Sequence, residues 1–280
     1  MDQSRRDTRT DPPPPAAANA RSQGTEPAED EVLRFDRVTF SFRGRQPSLQ
    51  GIDFQVARGK FVAVIGPSGC GKSTILNLAA GLLEPSQGAV YFGGSRLTEV
   101  NTSAAYVTQD TNLLPWLTVR GNIGLALKLR NTAKDERDAR VTDWINLVGL
   151  AGFENHFPRQ LSGGMQKRAS IARSLIYDPS IVLMDEPFGP LDAITRLKLQ
   201  QELLNIWESE SGTVVFVTHD LTEAICLADE VIVISKGPGT IRGILPVPIK
   251  RPRDIVSVME SRDFSEIYRE LWEMFKFELG

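Results

Sequence analysis

The chain has 280 residues, 41% of them apolar, with a formal net charge of −3. That length holds one large domain or two modest ones, and the near-neutral charge gives no global attraction to nucleic acid or to an anionic membrane. Two cysteines, Cys70 and Cys226, exclude a disulfide framework and a zinc-ligand spacing; both are expected as reduced thiols. Residues 1–30 carry Asp11-Pro12-Pro13-Pro14-Pro15, an alanine run and scattered charges, the composition of a disordered tail. No signal peptide and no window of about 18 apolar residues is read. A cytosolic protein is expected, reaching a membrane only through a partner.

From Val32 the pattern changes. Val38, Phe40 and Phe42 alternate with polar residues, as a half-buried antiparallel strand requires. Apolar runs of strand length follow at Phe61–Ile65, 89–92, Ala104–Val107, 181–184, 214–217 and 231–234. A helix is expected over 73–82, and Leu199, Leu203, Ile206 and Trp207 share one helical face. Buried strands separated by helices predict an α/β fold with a parallel core sheet. Residues 111–175 lack strand signals and are assigned to a helical subdomain inserted into that sheet. Further on, Lys236-Gly237-Pro238-Gly239 is turn material, and 241–249 reads as a short strand pair interrupted by prolines. Phe264, Ile267, Leu271 and Phe275 predict a closing amphipathic helix.

The chemistry is concentrated in three motifs. Gly66-Pro67-Ser68-Gly69-Cys70-Gly71-Lys72-Ser73 lies between a strand and a helix. Its glycines let successive N–H groups face phosphate oxygens, and the following helix adds its positive end. Lys72 is expected on the β- and γ-phosphates of ATP and Ser73 on Mg²⁺; Thr74 is counted with the loop. Cys70, inside it, is expected to be open to alkylation. The second motif is the apolar run 181–184 ending in Asp185 and Glu186. Asp185 suits a magnesium ligand and Glu186 a general base for water attack, although a carboxylate at a strand end also serves as a simple helix cap. The third, Leu161-Ser162-Gly163-Gly164-Met165-Gln166, precedes a helix. It reads either as a second phosphate site or as a flexible turn with Ser162 as N-cap. One nucleotide offers a single γ-phosphate, so two anion sites in one chain suggest half-sites completed across a dimer.

Residues 161–166, set between that loop and the Asp-Glu strand, resemble the signature motif of ABC ATPases. The resemblance spans about 32–235 and implies roles for further residues. Gln109 matches the glutamine that senses Mg²⁺ and the transmembrane partner, and it is counted with the metal and catalytic positions. Asp192, in Gly189-Pro190-Leu191-Asp192, matches the D-loop carboxylate, with Pro190 a departure from the usual smaller residue. His219 matches the switch histidine at the γ-phosphate. Phe42 sits where the family stacks an aromatic on adenine, or else is ordinary core. His156 matches nothing and reads as surface or cap.

The implied fold is a P-loop NTPase core with an antiparallel β-edge subdomain and an inserted helical subdomain at about 111–175. The plan is a tail at 1–30, a cassette at 31–235 and a short appendage at 236–280. The implied partners are a second copy, head to tail, transmembrane permease subunits, and indirectly a solute-binding protein, with no nucleic acid. The chain would sit at the cytoplasmic face of the inner or plasma membrane. Gln109-Asp110-Thr111-Asn112-Leu113-Leu114-Pro115-Trp116, Asp192-Ala193-Ile194-Thr195-Arg196, Pro238-Gly239-Thr240-Ile241 and Arg251-Pro252-Arg253-Asp254 resemble the nitrate, sulfonate and taurine uptake group. A soluble ABC ATPase acting on nucleic acid or ribosomes is the competing class, and a cassette for a different solute the other alternative.

Overall fold

The computed structural model describes residues 30–43, 46–189, 191–210 and 212–276. The tail read at 1–30 (Asp30 apart) and Pro190 lie outside them. The strands are β1 (Glu31–Phe40), β2 (Leu49–Ala57), β3 (Phe61–Ile65), β4 (Gln87–Phe92), β5 (Ser95–Arg96), β6 (Ala104–Val107), β7 (Ile181–Asp185), β8 (Val214–Thr218), β9 (Glu230–Ile234) and β10 (Ile241–Pro246). The helices are α1 (Lys72–Ala79), α2 (Val119–Ile123), α3 (Leu125–Leu129), α4 (Lys134–Leu147), α5 (Gly163–Leu175), α6 (Ala193–Glu210), α7 (Leu221–Leu227), α8 (Ile255–Met259) and α9 (Arg262–Phe275).

Two sheets form. One is antiparallel, in the order β2-β1-β4-β5; the other runs β10-β9-β3-β8-β7-β6, with β10 antiparallel to β9 and the remaining five strands parallel. The parallel strands are covered on both faces, which explains their unbroken apolar runs. Their alternate residues feed two cores. Phe61, Ala63, Val182, Met184, Val214, Phe216, Val231 and Val233 face α6, α7 and α9. Val62, Val64, Ile181, Leu183, Val215, Val217, Ile232 and Ile234 face α1 and the antiparallel sheet. A third core joins α2, α4 and α5 through Val119, Ile123, Val141, Ile145, Ala169 and Ala172.

One strand goes unmarked in the sequence reading, and one expectation needs correction. β2 is a full strand with Leu49, Ile52, Phe54 and Val56 buried, although its alternation is interrupted by Gly51 at φ 62. The strand pair read at 241–249 is one strand, β10. Pro246 and Pro248 lack the N–H that a returning strand would need, and Val247 N–H instead bonds Asp229 O.

The chain beyond β10 is fastened by two arginines. Arg253, 3% exposed, donates to the carbonyls of Ile225, Cys226 and Ala228 at the end of α7, and to those of Val247 and Ile249. A cation on orphan carbonyls at a helix C-terminus is favoured both by hydrogen bonding and by the helix dipole. Arg251 lies 4.0 Å over the Trp207 ring and pairs with Asp229 at 2.9 Å and Glu208 at 3.1 Å. Asp229 in turn accepts from the Phe61 N–H of β3. The Arg-Pro-Arg-Asp string therefore ties the terminal helices to the central sheet. Arg253→Met should cost about 3 kcal/mol or more, because five carbonyls lose a buried donor. Urea unfolding of the full chain measures this; an unchanged midpoint would show that the anchor carries no stability.

Candidate functional site

The parallel register brings four strand ends level. Ile65 pairs with Thr218, Asp185 with Val217, and Val107 with Met184. The loop at 66–71, Gln109, Glu186 and His219 thus leave the sheet at the C-terminal ends of neighbouring strands, where α/β folds place ligands. Gly69 and Gly71 take φ of 79° and 102°, a backbone that lets the loop curl before α1 begins at Lys72. Ser68 and Gly69 are exposed, while Gly66, Cys70, Lys72 and Thr74 are buried. Lys72 Nζ donates to Gly66 O at 2.9 Å and Pro67 O at 3.2 Å, and stands 3.8 Å from Glu186 Oε1.

Ser73 Oγ donates to Asp185 Oδ1 at 3.1 Å. Burial raises the Asp185 carboxyl above its usual range, against the opposing bond from Ser73. Tyr106, on β6, also bonds Asp185; burial first, then the carboxylate's charge, raises its phenol. Glu186 sits at φ 41°, an uncommon conformation for a residue with a side chain. Its N–H bonds Val217 O, and its Oε2 lies 3.0 Å from His219 Nδ1.

Behind His219 lies a buried polar relay. Thr218 Oγ1 donates to Glu223 Oε2 at 2.6 Å, Gln200 Nε2 donates to Glu223 Oε1 at 2.9 Å, and Asp220 N–H donates to Thr218 Oγ1. The carboxylate of Asp220 caps α7. Burial raises the Glu223 carboxyl above its ordinary range, with Asp220 adding to the effect and Thr218, Arg196 and His219 opposing it.

Gln109 occupies the loop after β6, its Nε2 only 3.2 Å from where a Cβ on Gly189 would lie. Lys167 of α5, 1% exposed, donates to Thr108 O at 2.8 Å and Gln109 O at 3.1 Å. Burial lowers its ammonium to about 8, against the pull of Asp110. Lys167 shares a buried stripe with Gly164, Ile171 and Ser174; a lysine inside an inward helical stripe was the available signal, and sequence reasoning passed over it. Tyr106 and Glu223 were missed as well, since nothing in β6 or α7 distinguishes them from ordinary neighbours.

The other predicted residues lie apart. Ser162 is exposed and caps α5 by accepting from Met165 N–H, next to exposed Gly163 and buried Gly164. Among the described residues no hydrogen bond or ion pair joins these three to the loop at 66–73. Asp192 accepts from Thr195 N–H at the start of α6; the Thr195 hydroxyl first, and then that N–H, hold its carboxyl below the usual range. Phe42 stands beyond the end of β1, 47% exposed, edge-on to Phe40, so it is not core. Cys70 is 1% exposed with Sγ behind Gly66, contrary to the expected openness to alkylation. Burial pushes the Cys226 thiol up to about 12, and neither cysteine is in a disulfide.

Comparison with known proteins matches this geometry to a family. Residues 49–189 fit the family model described as ABC transporter. The chain is 43% identical over 229 residues to the aliphatic sulfonates import ATP-binding protein SsuB of Bacillus cereus, covering 82% of this chain and 88% of that one. It is 42% identical over 244 residues to the nitrate import ATP-binding protein NrtD of Synechococcus elongatus, covering 85% and 89%. A solved dimer of the ATP-binding cassette MJ0796 in a post-hydrolysis state, bound to ADP and Pi, superposes with TM-score 0.67 at 31% identity, covering 78% of this chain and all of that one. The chain belongs to the ABC transporter family, as an ATP-binding cassette with ATPase chemistry.

The relay behind His219 has a consequence for pH. Because the folded Glu223 carboxyl holds its proton above the ordinary 4.5, the native state binds more protons than the unfolded chain in that window. Stability therefore falls as pH rises through it. Glu223→Gln mimics the protonated acid, so its unfolding midpoint should vary less as pH rises above 4.5 and exceed the parent's once the parent's carboxyl has ionised. Parallel pH profiles for the two proteins would refute this.

Proposed function

We propose that the chain is the ATP-hydrolysing subunit of an ABC importer, energising uptake of a small anion through a separate permease, and working as a head-to-tail pair of identical cassettes. The observation that carries it is the Ser73–Asp185 contact beside Lys72 and the Glu186–His219 pair, all on one row of strand ends. The residues present fit the ligands. The loop at 66–73 offers a left-handed glycine backbone and a buried lysine to phosphates. A hydroxyl already sharing a proton with a carboxylate is a hard-oxygen donor set for magnesium. Ser73, Asp185 and Gln109 would hold Mg²⁺, which supplies charge neutralisation on the β- and γ-phosphates.

Lys72, freed from Gly66 O and Pro67 O, turns to the phosphates. Glu186, held in place by its strained backbone and its bond to Val217 O, takes a proton from the attacking water. His219 steadies Glu186 and faces the γ-phosphate. Phe42 offers its exposed ring to adenine. Ser162, Gly163 and Gly164 stand apart from their own loop, which suits them to close the partner's site, with Asp192 near the junction. The pairing is supported by the dimeric assembly of the MJ0796 cassette, and the anion class by the sulfonate and nitrate import roles of SsuB and NrtD. No helix among the described residues is long and apolar enough to cross a membrane. We therefore place the chain peripherally on the cytoplasmic face, seated on its permease near Gln109, with an external solute-binding protein as an indirect partner.

Glu186→Gln should retain ATP affinity, lose turnover by about a hundredfold or more, and accumulate as an ATP-bound dimer on gel filtration. Parental turnover would sink the general-base assignment. Expressed with its native membrane partners, the tagged chain should co-purify with a polytopic protein; recovery with ribosomes or nucleic acid instead would favour the soluble class.

A further inference from the structure

We infer that Lys167 and Arg173 make the Gln109 loop and helix α5 one rigid piece, so that the helix presenting Ser162–Gly164 to one ATP also sets the position of Gln109 at the other. This rests on the paired-cassette reading above. The geometry is a double clamp. Lys167 Nζ reaches the carbonyls of Thr108 and Gln109. Nearly two turns further along the same helix, Arg173 Nη1 donates to Asn112 O at 2.7 Å and Nη2 to Thr111 O at 3.2 Å. Four of the five carbonyls from 108 to 112 thus accept from two cations on one helix. The fifth, of Asp110, accepts from Thr108 Oγ1 at 2.7 Å, and Asn112 Nδ2 donates back to that hydroxyl at 2.8 Å.

A loop whose carbonyls are all taken has little freedom of its own. It moves when α5 moves. Charge-assisted bonds to neutral carbonyls are individually stronger than neutral ones, and Lys167 is buried, so water cannot replace it without opening the interface. The Gln109 side chain leaves this clamped loop toward Gly189 and the turn that follows Glu186. The N-terminus of α5 is exposed at Ser162 and Gly163, one turn from Lys167. A displacement of that terminus by a bound nucleotide is therefore carried to Gln109 through one helical turn and one ammonium group. Lys167 and Arg173 are positioning residues: they act through Gln109 and touch no phosphate.

The test compares Lys167→Met, Lys167→Arg and Arg173→Met in the full chain, reading ATP affinity without turnover, kcat, and the Hill coefficient for ATP. Lys167→Met should keep ATP affinity within about twofold while kcat drops about tenfold and the Hill coefficient falls toward 1. Lys167→Arg, which restores donors, should recover most of both. Parental kcat and Hill coefficient in Lys167→Met would overturn the inference, as would an affinity loss equal to the loss in kcat. Should Lys167→Met fail to fold by thermal melt, Arg173→Met, at the outer end of the clamp, decides: lowered kcat and Hill coefficient support the inference, parental values overturn it. Glu186→Gln separates the two levels. If it forms no ATP-dependent dimer, the pairing itself falls; if it pairs while Lys167→Met stays cooperative, only the clamp falls.

Discussion

Everything chemical in this molecule depends on four parallel strands ending at one level. A strand buried on both faces admits no charge along its length, because each unpaired charge would bear a heavy desolvation cost. Polar residues are therefore expelled to the ends, and parallel pairing makes those ends coincide. β3, β6, β7 and β8 each run apolar until the last residue or two and then release the glycine loop, Gln109, the Asp185–Glu186 pair and His219. The register that seals the core is the same register that assembles the site.

The assembled groups sit in mutual tension. Asp185 and Glu186 are adjacent carboxylates beside one buried lysine, and burial acts against charge on Asp185. Lys72 donates to two carbonyls of its own loop and stands 3.8 Å from Glu186. Ser73 and Tyr106 satisfy Asp185. Each of these contacts is one that a phosphate or a hard cation can replace at little net cost, since a hydrogen bond exchanged for another loses little.

What the sequence revealed and what it withheld follow from the range of the interactions. The glycine loop, the Asp-Glu strand end and the Ser-Gly-Gly helix start are local: neighbouring residues supply both the geometry and the chemistry, so reading along the chain finds them. The long α6 stripe of Leu199, Leu203, Ile206 and Trp207 and the closing face of Ile267, Leu271 and Phe275 were equally plain. β2 was passed over because Gly51 breaks its alternation. Lys167 and Arg173 act across 58 to 62 residues, and Glu223 pairs with Gln200 across 23. A buried lysine whose partners are main-chain carbonyls leaves no matching carboxylate to notice. The Arg-Pro-Arg-Asp string was read as a family word. Its physical content, Arg253 on the end of α7 and Arg251 on Trp207, appears only in three dimensions.

The placement of the three cores says where this fold can yield. The sheet's two cores share every parallel strand, so neither face can slide without breaking main-chain pairing. The helical core of α2, α4 and α5 shares no strand with them. It meets the sheet through Ile206 of α6 and through half-buried Leu175 and Tyr177, which touch both sides. At this seam lies a cavity of about 150 Å³ lined by Trp144, Leu175, Met184, Leu203 and Trp207. Interiors are otherwise close-packed, and side chains facing a void forfeit dispersion contacts on that side. The packing between the helical layer and the sheet is thus less complete here than between neighbouring strands. Polar bonds cross the seam as well: Lys167 and Arg173 reach the Gln109 loop, Arg130 reaches Thr102 O and Tyr177 reaches Ala104 O. The seam is thus apolar where the helical layer meets α6 and the sheet, and charged where it meets the Gln109 loop, so the two contacts differ in the kind of bond that a displacement would have to break.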